Sequence, residues 1–195
     1  MKRALLINAH QRYEGFAEGK LNQTLIDAAK DLLSSLGYEI KTTIVENGYD
    51  IAEELEKYKW TDVVFVQTPV YWMSVPYIFK KYIDEVHTAG LGVLCQDDGR
   101  TRSDLSKKYG SGGLMHGKKY MISTTWNAPL EAFEDPNQFF EGKGVDGLFM
   151  WLHKNYQFFG MKPLPTFSCY DVLKNADVEN DLKRFKQLLA QSFKN

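Results

Sequence analysis

The sequence contains little cysteine and no long apolar run. Its 195 residues include only two cysteines, Cys95 and Cys169, and without a secretion signal we expect reduced thiols rather than a structural disulfide. The first apolar run covers residues 4–7, which is too short for a signal-peptide core or a membrane span. We therefore expect a cytoplasmic protein that does not insert stably into a membrane.

The sequence also lacks an excess of charge of either sign. It has 24 Lys and Arg against 25 Asp and Glu, a net charge of −1, which argues against nucleic acid as a partner. Its four histidines lack paired ligand spacing, so we expect no metal site. The composition, 44% hydrophobic and 14% aromatic, is typical of a globular protein. We expect a single domain over residues 1–195, with a long loop at about 90–117.

Five apolar segments alternate with helical patterns along the chain. Period and β-branched content predict strands at residues 2–8, 39–45, 62–68, 119–125 and 163–170. Leucine spacing and stop signals predict helices at about residues 20–36, 51–58, 75–87, 145–159 and 178–193. Such alternation indicates a three-layer α/β fold with a mainly parallel sheet.

The loop after the first strand decides between two doubly wound folds. Residues 9–15 read Ala-His-Gln-Arg-Tyr-Glu-Gly, which lacks the Gly-x-Gly-x-x-Gly of the six-stranded dinucleotide fold. The five-stranded flavodoxin-like order, 2-1-3-4-5, remains. It places a ligand crevice at the carboxyl ends of the first, third and fourth strands.

Three loops follow those strands and would surround this crevice. Residues 18–25 open a helix whose N–H groups, together with Lys20, would attract a phosphate or pyrophosphate. The alternative is a helix capped in its first turn by Asn22, Gln23 and Thr24. Residues 68–76 contain Tyr71 and Trp72 and form a rigid apolar shelf suited to a planar ring, or else bury these aromatics in the core.

The third loop covers residues 124–130. Its threonines, an asparagine and free backbone N–H groups would hydrogen-bond the polar rim of a flavin, or else form an ordinary aromatic turn. Since all three loops meet at one crevice in this fold, together they favour a flavin site more strongly than any one alone.

Several longer segments resemble a known family. They are DDGRTR at 97–102, SKKYGSGGL at 106–114, GKKYM at 117–121, TWNAP at 125–129 and GMKPLPTF at 160–167. These segments closely resemble the bacterial modulator of drug activity B proteins, which are NADPH:quinone reductases of the wider NAD(P)H:quinone oxidoreductase group. The resemblance covers essentially the whole chain, although residues 9–17 depart from the family pattern.

The resemblance implies a flavodoxin-like homodimer with FAD at each of two subunit-interface sites. It implies two-electron reduction of quinones with NADPH as the expected co-substrate, while the choice of NADPH over NADH, and a role in oxidative stress or in respiration, stay open. The residues it assigns to the cofactor are Glu18, Gly19, Lys20, Leu21, Asn22, Gln23, Thr24, Leu25, Tyr71, Trp72, Met73, Ser74, Tyr109, Thr125, Trp126, Asn127 and Ala128.

We further expect a ping-pong cycle in which NAD(P)H reduces the flavin, leaves, and is replaced by the quinone. Residues 143–147 are distantly similar to the segment that carries a proton-relaying histidine in mammalian quinone reductases. This similarity puts Asp146 at that place, unless Asp146 caps the helix that follows. Arg100 and Arg102 are candidates to bind a phosphate of the nicotinamide cofactor; the alternative is a solvated basic loop. The candidates to line the quinone slot are Phe139, Phe140 and Trp151; the alternative is that they belong to the core.

Three other functions share this sequence pattern. A flavodoxin-type electron carrier would bind FMN, but such carriers have a strongly acidic docking face, which a net charge of −1 does not favour. A non-enzymatic ancillary partner of a membrane transporter and an azo-dye or FMN reductase of the same fold both remain open.

Overall fold

The strands form one parallel sheet, and the computed structural model describes residues 2–193 of the chain. Residue 1 and residues 194–195 of the expected domain lie outside this range. The sheet order is β2-β1-β3-β4-β5, which confirms the flavodoxin-like order, and β6 pairs with β4 beyond β5. The strands are β1 (Lys2–Asn8), β2 (Tyr38–Ile44), β3 (Val63–Pro69), β4 (Lys119–Thr125), β5 (Lys162–Pro163) and β6 (Phe167–Cys169).

The fifth strand position is divided, where the sequence predicted one strand over 163–170. The Leu164 N–H donates to the Tyr120 carbonyl at 2.7 Å, and pairing with β4 resumes only at Phe167. Pro165 lies between them and has no N–H to donate. The gap in the ladder therefore coincides with this proline.

Helices cover both faces of the sheet. One face carries α1 (Lys20–Ser35) and α7 (Val178–Phe193). The other carries α2 (Ile51–Trp60), α3 (Tyr77–Tyr82), α4 (Glu131–Glu134), α5 (Gly144–Leu148) and α6 (Met150–Phe158). A π-helical turn, Ile83–His87, continues α3. The expected helix at 145–159 is interrupted at Phe149, whose φ of −93° and ψ of 14° separate α5 from α6.

Each face of the sheet has its own apolar core, because strand side chains alternate between the faces. In β1, Ala4 and Leu6 pack under α1 and α7, whereas Leu5 and Ile7 pack on the opposite side. All seven residues of β3 are buried, as expected for a central strand covered on both faces.

A lysine from the end of the long loop holds the carboxyl end of α2. The Lys118 Nζ donates to the carbonyl oxygens of Tyr58 at 3.1 Å and of Lys59 at 2.7 Å, and also to that of Thr61. The Tyr58 and Lys59 carbonyls belong to the last turn of α2, which a helix end leaves without intrahelical partners, and Thr61 directly follows the helix. Partial burial lowers the pKa of Lys118. Because the ammonium group lies beside these carbonyls, its positive charge faces the negative end of the α2 dipole.

Within residues 2–193, no helix is both long enough and apolar enough to cross a membrane. Cys95 and Cys169 are free thiols, and both are buried.

Candidate functional site

A cavity of about 310 Å³ lies at the carboxyl ends of β1, β3 and β4. All three loops predicted from the sequence contribute to it, and so does the segment that follows β6. The lining residues are His10, Phe16, Ala17, Glu18, Gly19, Lys20, Leu21, Asn22, Pro69, Val70, Tyr71, Thr125, Asn127, Val172 and Leu173.

The amino end of α1 opens onto this cavity with its first N–H groups unused. The first backbone bond of the helix runs from the Gln23 N–H to the Gly19 carbonyl, so the N–H groups of residues 20–22 precede the ladder. No side chain among the described residues caps this end, and its first turn contains no acid. Capping by Asn22, Gln23 or Thr24 is therefore wrong. An uncapped helix end of this kind favours an anion.

Gly19 allows this helix end to approach the loop after β1. Its φ is +80°, in the left-handed region that favours glycine, and a Cβ there would lie 2.8 Å from the His10 ring. Any larger residue at position 19 would push His10 or the helix away.

Buried amide side chains fix α1 against the sheet beside the cavity. The Asn22 Nδ2 donates to the Asn8 Oδ1 at 2.6 Å, and the Gln67 Nε2 donates to the Asn22 Oδ1 at 3.1 Å. The Asn8 Nδ2 donates to the Gln23 Oε1 at 3.0 Å, and the Asn8 Oδ1 also accepts from the His10 backbone N–H at 3.2 Å. These bonds position the helix end and the His10 loop together.

His10 lines the cavity, although the sequence predicted no role for it there. His10 is 7% exposed, and its Nε2 lies 3.3 Å from the Tyr71 hydroxyl. Its Nδ1 lies 3.9 Å from a carboxylate oxygen of Glu46. Burial is the main cause that lowers the pKa of His10, while Glu46 acts in the opposite direction. The signal in the sequence was its position two residues after the end of β1.

The turn Tyr71–Ser74 lies beside the cavity and has unusual backbone geometry. Trp72 and Met73 both have positive φ, 49° and 63°, although neither is glycine. Two backbone hydrogen bonds between Tyr71 and Ser74 close the turn. Left-handed conformations cost a non-glycine residue about 1–2 kcal/mol each, and such strain concentrates at functional sites.

Residues 12–18 form a small hairpin over Tyr71. Tyr13 pairs with Ala17, and the Arg12 guanidinium binds the Glu18 carboxylate at 2.8 Å. The rings of Tyr13 and Phe16 lie 5.4 Å and 6.5 Å from the Tyr71 ring. Residues 12–18 therefore form an aromatic flap at the cavity mouth. The flap overlaps residues 9–17, where the sequence departs from the pattern of the family that it resembles.

The structure does not bring every predicted residue of the first two loops into the cavity. Gln23 and Thr24 line a neighbouring cleft on the other side of the helix end, and Leu25 is fully buried in the core. Trp72 is 93% exposed and Met73 is 46% exposed, so these side chains extend outward beside the cavity.

In the third loop, Thr125 and Asn127 line the cavity but Trp126 does not. The Trp126 Nε1 donates to the Thr124 Oγ1 at 2.8 Å, and its ring packs edge-on against Phe133 and Phe149. Ala128 packs partly buried against the same core. Trp126 thus anchors the loop from below, and its side chain does not line the cavity of its own chain.

Val172 and Leu173 are cavity residues that the sequence analysis missed. They follow β6, whose carboxyl end lies at the same edge of the sheet as those of β1, β3 and β4. The sequence predicts one continuous strand over 163–170 and gives no signal that the residues after it line the cavity.

Tyr109 lies outside the cavity of its own chain. It is 70% exposed, its ring packs against Phe158 at 5.5 Å, and the Arg100 guanidinium lies 5.4 Å above it. Tyr109 lines a separate cleft with His87 and Trp151. Within one chain it therefore makes no contact with the crevice.

Asp146 also lies outside the cavity. Its carboxylate is 3.2 Å from the His153 Nε2, and the His153 Nδ1 is 2.9 Å from the Tyr120 hydroxyl. The hydrogen bond from His153 is the largest cause that lowers the pKa of Asp146. Asp146 is thus ionised at neutral pH, paired with a buried histidine near the amino end of β4.

The other candidates are dispersed. Arg100 binds Asp98 through its guanidinium, and Arg102 is exposed. Phe140 stacks on Phe133 at 4.5 Å, within the aromatic cluster around Trp126, while Phe139 is 72% exposed. Trp151 lies in the cleft with Tyr109, so one chain does not assemble these three aromatics into a single slot.

The chain is similar to proteins of a known family. Residues 2–192 match the family described as having a flavodoxin-like fold. The chain is 48% identical over 179 residues to the NADPH:quinone oxidoreductase MdaB of Haemophilus influenzae, covering 92% of this chain and 93% of that protein.

Two solved structures share the fold. An NAD(P)H:quinone oxidoreductase from Methanothermobacter marburgensis superposes with a TM-score of 0.69 at 14% identity, over 100% of this chain and 98% of that one. General stress protein 14 of Treponema denticola, in complex with FMN, has a TM-score of 0.65 at 18% identity, over 98% of this chain and 99% of that one.

Proposed function

The chain belongs to the flavodoxin-like NADPH:quinone oxidoreductases, and from this we propose that it reduces quinones with NAD(P)H through a flavin held in the crevice. The observation that carries the proposal is the meeting of an uncapped helix end, a strained aromatic turn and a polar strand-end loop around one cavity. A bound flavin would accept a hydride from the nicotinamide and pass it to the quinone.

The described residues fit the phosphate end of a flavin nucleotide. The N–H groups of residues 20–22 and the Lys20 side chain supply positive potential at the amino end of α1. Gly19 lets the backbone come close to a ligand there, because a Cβ would already collide with His10. These residues would bind and orient the phosphate, not react with it.

The same cavity supports FAD over FMN. Val172 and Leu173 line it together with the phosphate-binding residues, and Leu173 is 59% exposed. An adenine ring attached beyond the phosphates would lie on such an apolar surface. The turn Tyr71–Ser74 would support the flavin ring, with Thr125 and Asn127 at its polar rim.

A homodimer would complete the site. Large apolar side chains are exposed on the isolated chain, two of them in the turn beside the crevice, and such exposure is typical of a surface covered by a partner. These are Trp72, Met73, Tyr77, Phe139 and Met150. Tyr109, which does not reach its own crevice, would then be available to the second subunit's flavin.

The proposal is tested by an anaerobic visible spectrum of the purified protein, followed by NADPH and then menadione. We expect a flavin spectrum that bleaches with NADPH and recovers with the quinone, and FAD on chromatography of the released cofactor. A protein that takes up no flavin when it is offered would refute the proposal and favour a non-enzymatic partner. Flavin that cycles only by single electrons would favour an electron carrier.

A matched pair of glycine variants tests the phosphate end. Gly19→Ala and Gly37→Ala both place alanine at a φ of +80°, but a Cβ at Gly37 meets nothing within 4 Å. Gly37→Ala should therefore lose about 1 kcal/mol of stability, and Gly19→Ala should lose at least as much, because its Cβ also meets the His10 ring. Only Gly19→Ala should weaken FAD binding, by tenfold or more; equal affinities would remove the helix end from the site.

A further inference from the structure

His10 lies beside the amino end of α1, where a flavin phosphate would bind. His10 lies in van der Waals contact with the start of α1, where Gly19 leaves room for its ring. The same ring lines both the crevice and the cleft on the other side of the helix end. Any anion held by the helix end is therefore adjacent to an imidazole that is almost completely buried.

The hydrogen bonds of His10 indicate which ring nitrogen is unprotonated. The Tyr71 hydroxyl donates to the Gln11 carbonyl at 2.8 Å, so towards the His10 Nε2, 3.3 Å away, it acts as an acceptor. A neutral ring that donates to this hydroxyl carries its proton on Nε2 and a lone pair on Nδ1. That lone pair lies 3.9 Å from the Glu46 carboxylate.

Glu46 is held in this position independently of His10. Its Oε1 accepts from the Arg12 backbone N–H at 2.8 Å. A proton added to the His10 Nδ1 would therefore meet a carboxylate that is already in place. Desolvation opposes that proton in the isolated chain, and burial lowers the pKa of His10 accordingly.

We infer that His10 takes up a proton when a flavin phosphate binds in the crevice, so that cofactor binding is coupled to pH. The inference rests on the proposed function. A phosphate beside the ring adds negative charge that favours the imidazolium, and Glu46 accepts the new N–H. Since binding consumes a proton, affinity rises as the pH falls.

The other groups around His10 define the field in which this proton is taken up. They come from the flap, from the start of α1 and from the segments after β2 and β3. Arg12 and Glu18 neutralise each other in a salt bridge, and the pKa of Tyr71 is raised to about 12, so the phenol stays neutral. The titratable and charged groups are Arg12, Glu18, Lys20, Asp27, Glu46 and Tyr71.

The experiment is titration calorimetry of FAD into the flavin-free protein at pH 7, in buffers that differ in ionisation enthalpy. We expect uptake of about 0.3 to 1 proton per FAD, and a dissociation constant that weakens about twofold to tenfold for each pH unit. FAD is preferred over FMN because the FMN phosphate has its own pKa near about 6. Riboflavin, which carries no phosphate, should bind without proton uptake.

The variant His10→Gln keeps a polar side chain but cannot titrate, and it should abolish the proton uptake. The control His116→Gln removes an exposed histidine from the loop before β4 and should leave the uptake unchanged. If His10→Gln fails to fold or to bind FAD, an NMR titration of the wild-type histidines decides the matter. The pKa of His10 should rise when FAD is added.

The outcomes separate this inference from the proposed function. A chain that binds neither FAD nor riboflavin refutes the proposed function. Proton uptake that persists in His10→Gln, that is equal for FAD and riboflavin, or that is absent while FAD binds overturns only the role of His10.

Discussion

The buried imidazole of His87 should make the protein sensitive to acid, and replacing it with phenylalanine should remove that sensitivity. His87 ends the π-helical turn after α3, and its ring packs edge-on against Tyr58, Tyr156 and Phe159. Burial lowers its pKa to about 4. Within the described part of the chain, its Nδ1 has no hydrogen-bond partner.

The size of the effect follows from the difference between the two states. The pKa of a histidine in the unfolded chain is about 6.5. Between pH 6.5 and pH 4 the unfolded chain therefore binds more protons than the folded one. Stability due to this group is therefore present at neutral pH and lost as the pH falls. The loss is about 2 kcal/mol at pH 5 and reaches about 3 kcal/mol below the folded pKa.

His87→Phe preserves the aromatic packing. It removes the 3.3 Å contact with the Tyr58 hydroxyl, but it also removes a buried nitrogen without a partner. These two changes oppose each other, so at pH 7.5 the variant should be within about 1 kcal/mol of wild type. At pH 5 it should be the more stable protein.

The assay is urea unfolding followed by tryptophan fluorescence at pH 7.5 and pH 5, with both proteins in the same flavin state. The wild-type midpoint should fall relative to that of the variant by about 1 M between the two pH values. If the difference between the two proteins is the same at both pH values, His87 is not the source of acid sensitivity and the argument from its burial fails.

Three further substitutions test other parts of the structure. Lys118→Met removes three bonds to the carboxyl end of α2 and should lower the free energy of unfolding by about 2 kcal/mol in urea melts, without weakening flavin binding; an unchanged value would show that the lysine stabilises nothing. Met73→Gly relieves a positive φ and should raise stability by up to about 1 kcal/mol, whereas a lower melting temperature would contradict strain at this turn. Asp146→Asn should leave quinone turnover within about twofold, because Asp146 is paired with His153 outside the cavity; a loss of kcat of about a hundredfold with normal flavin content would support a proton relay.

The central strands and long helices could be predicted from the sequence because single periodic patterns govern them. The strand at 119–125 and the helix at 178–193 have the predicted bounds. The division of the fifth strand at Pro165 and the interruption of the helix at Phe149 could not be predicted. In each case one residue interrupts a pattern that is otherwise continuous. In the first case Pro165 lacks an N–H, and in the second the fully buried Phe149 has dihedral angles that separate the two helices.

The site shows the same division. Glycine and aromatic residues at strand ends marked the three loops, because parallel strands bring their carboxyl ends to one edge. For His10 the only local signal was its position two residues after β1, whereas Val172 and Leu173 belong to the cavity through the folding of their loop, which no local pattern describes. Trp126 looked like a site residue beside Thr125, yet its side chain turns into the core, and only tertiary structure distinguishes these two directions.

The divided fifth strand also determines how these molecules can meet one another. Lys162 and Leu164 direct their N–H groups inward, to the carbonyls of Lys118 and Tyr120. The outward-facing donors would belong to residues 163 and 165, and both are prolines. A further strand from another molecule would find no N–H to pair with there, so this part of the edge resists the strand-by-strand growth that leads to aggregation. Two copies would therefore not extend the sheet by strand pairing at Pro163 and Pro165.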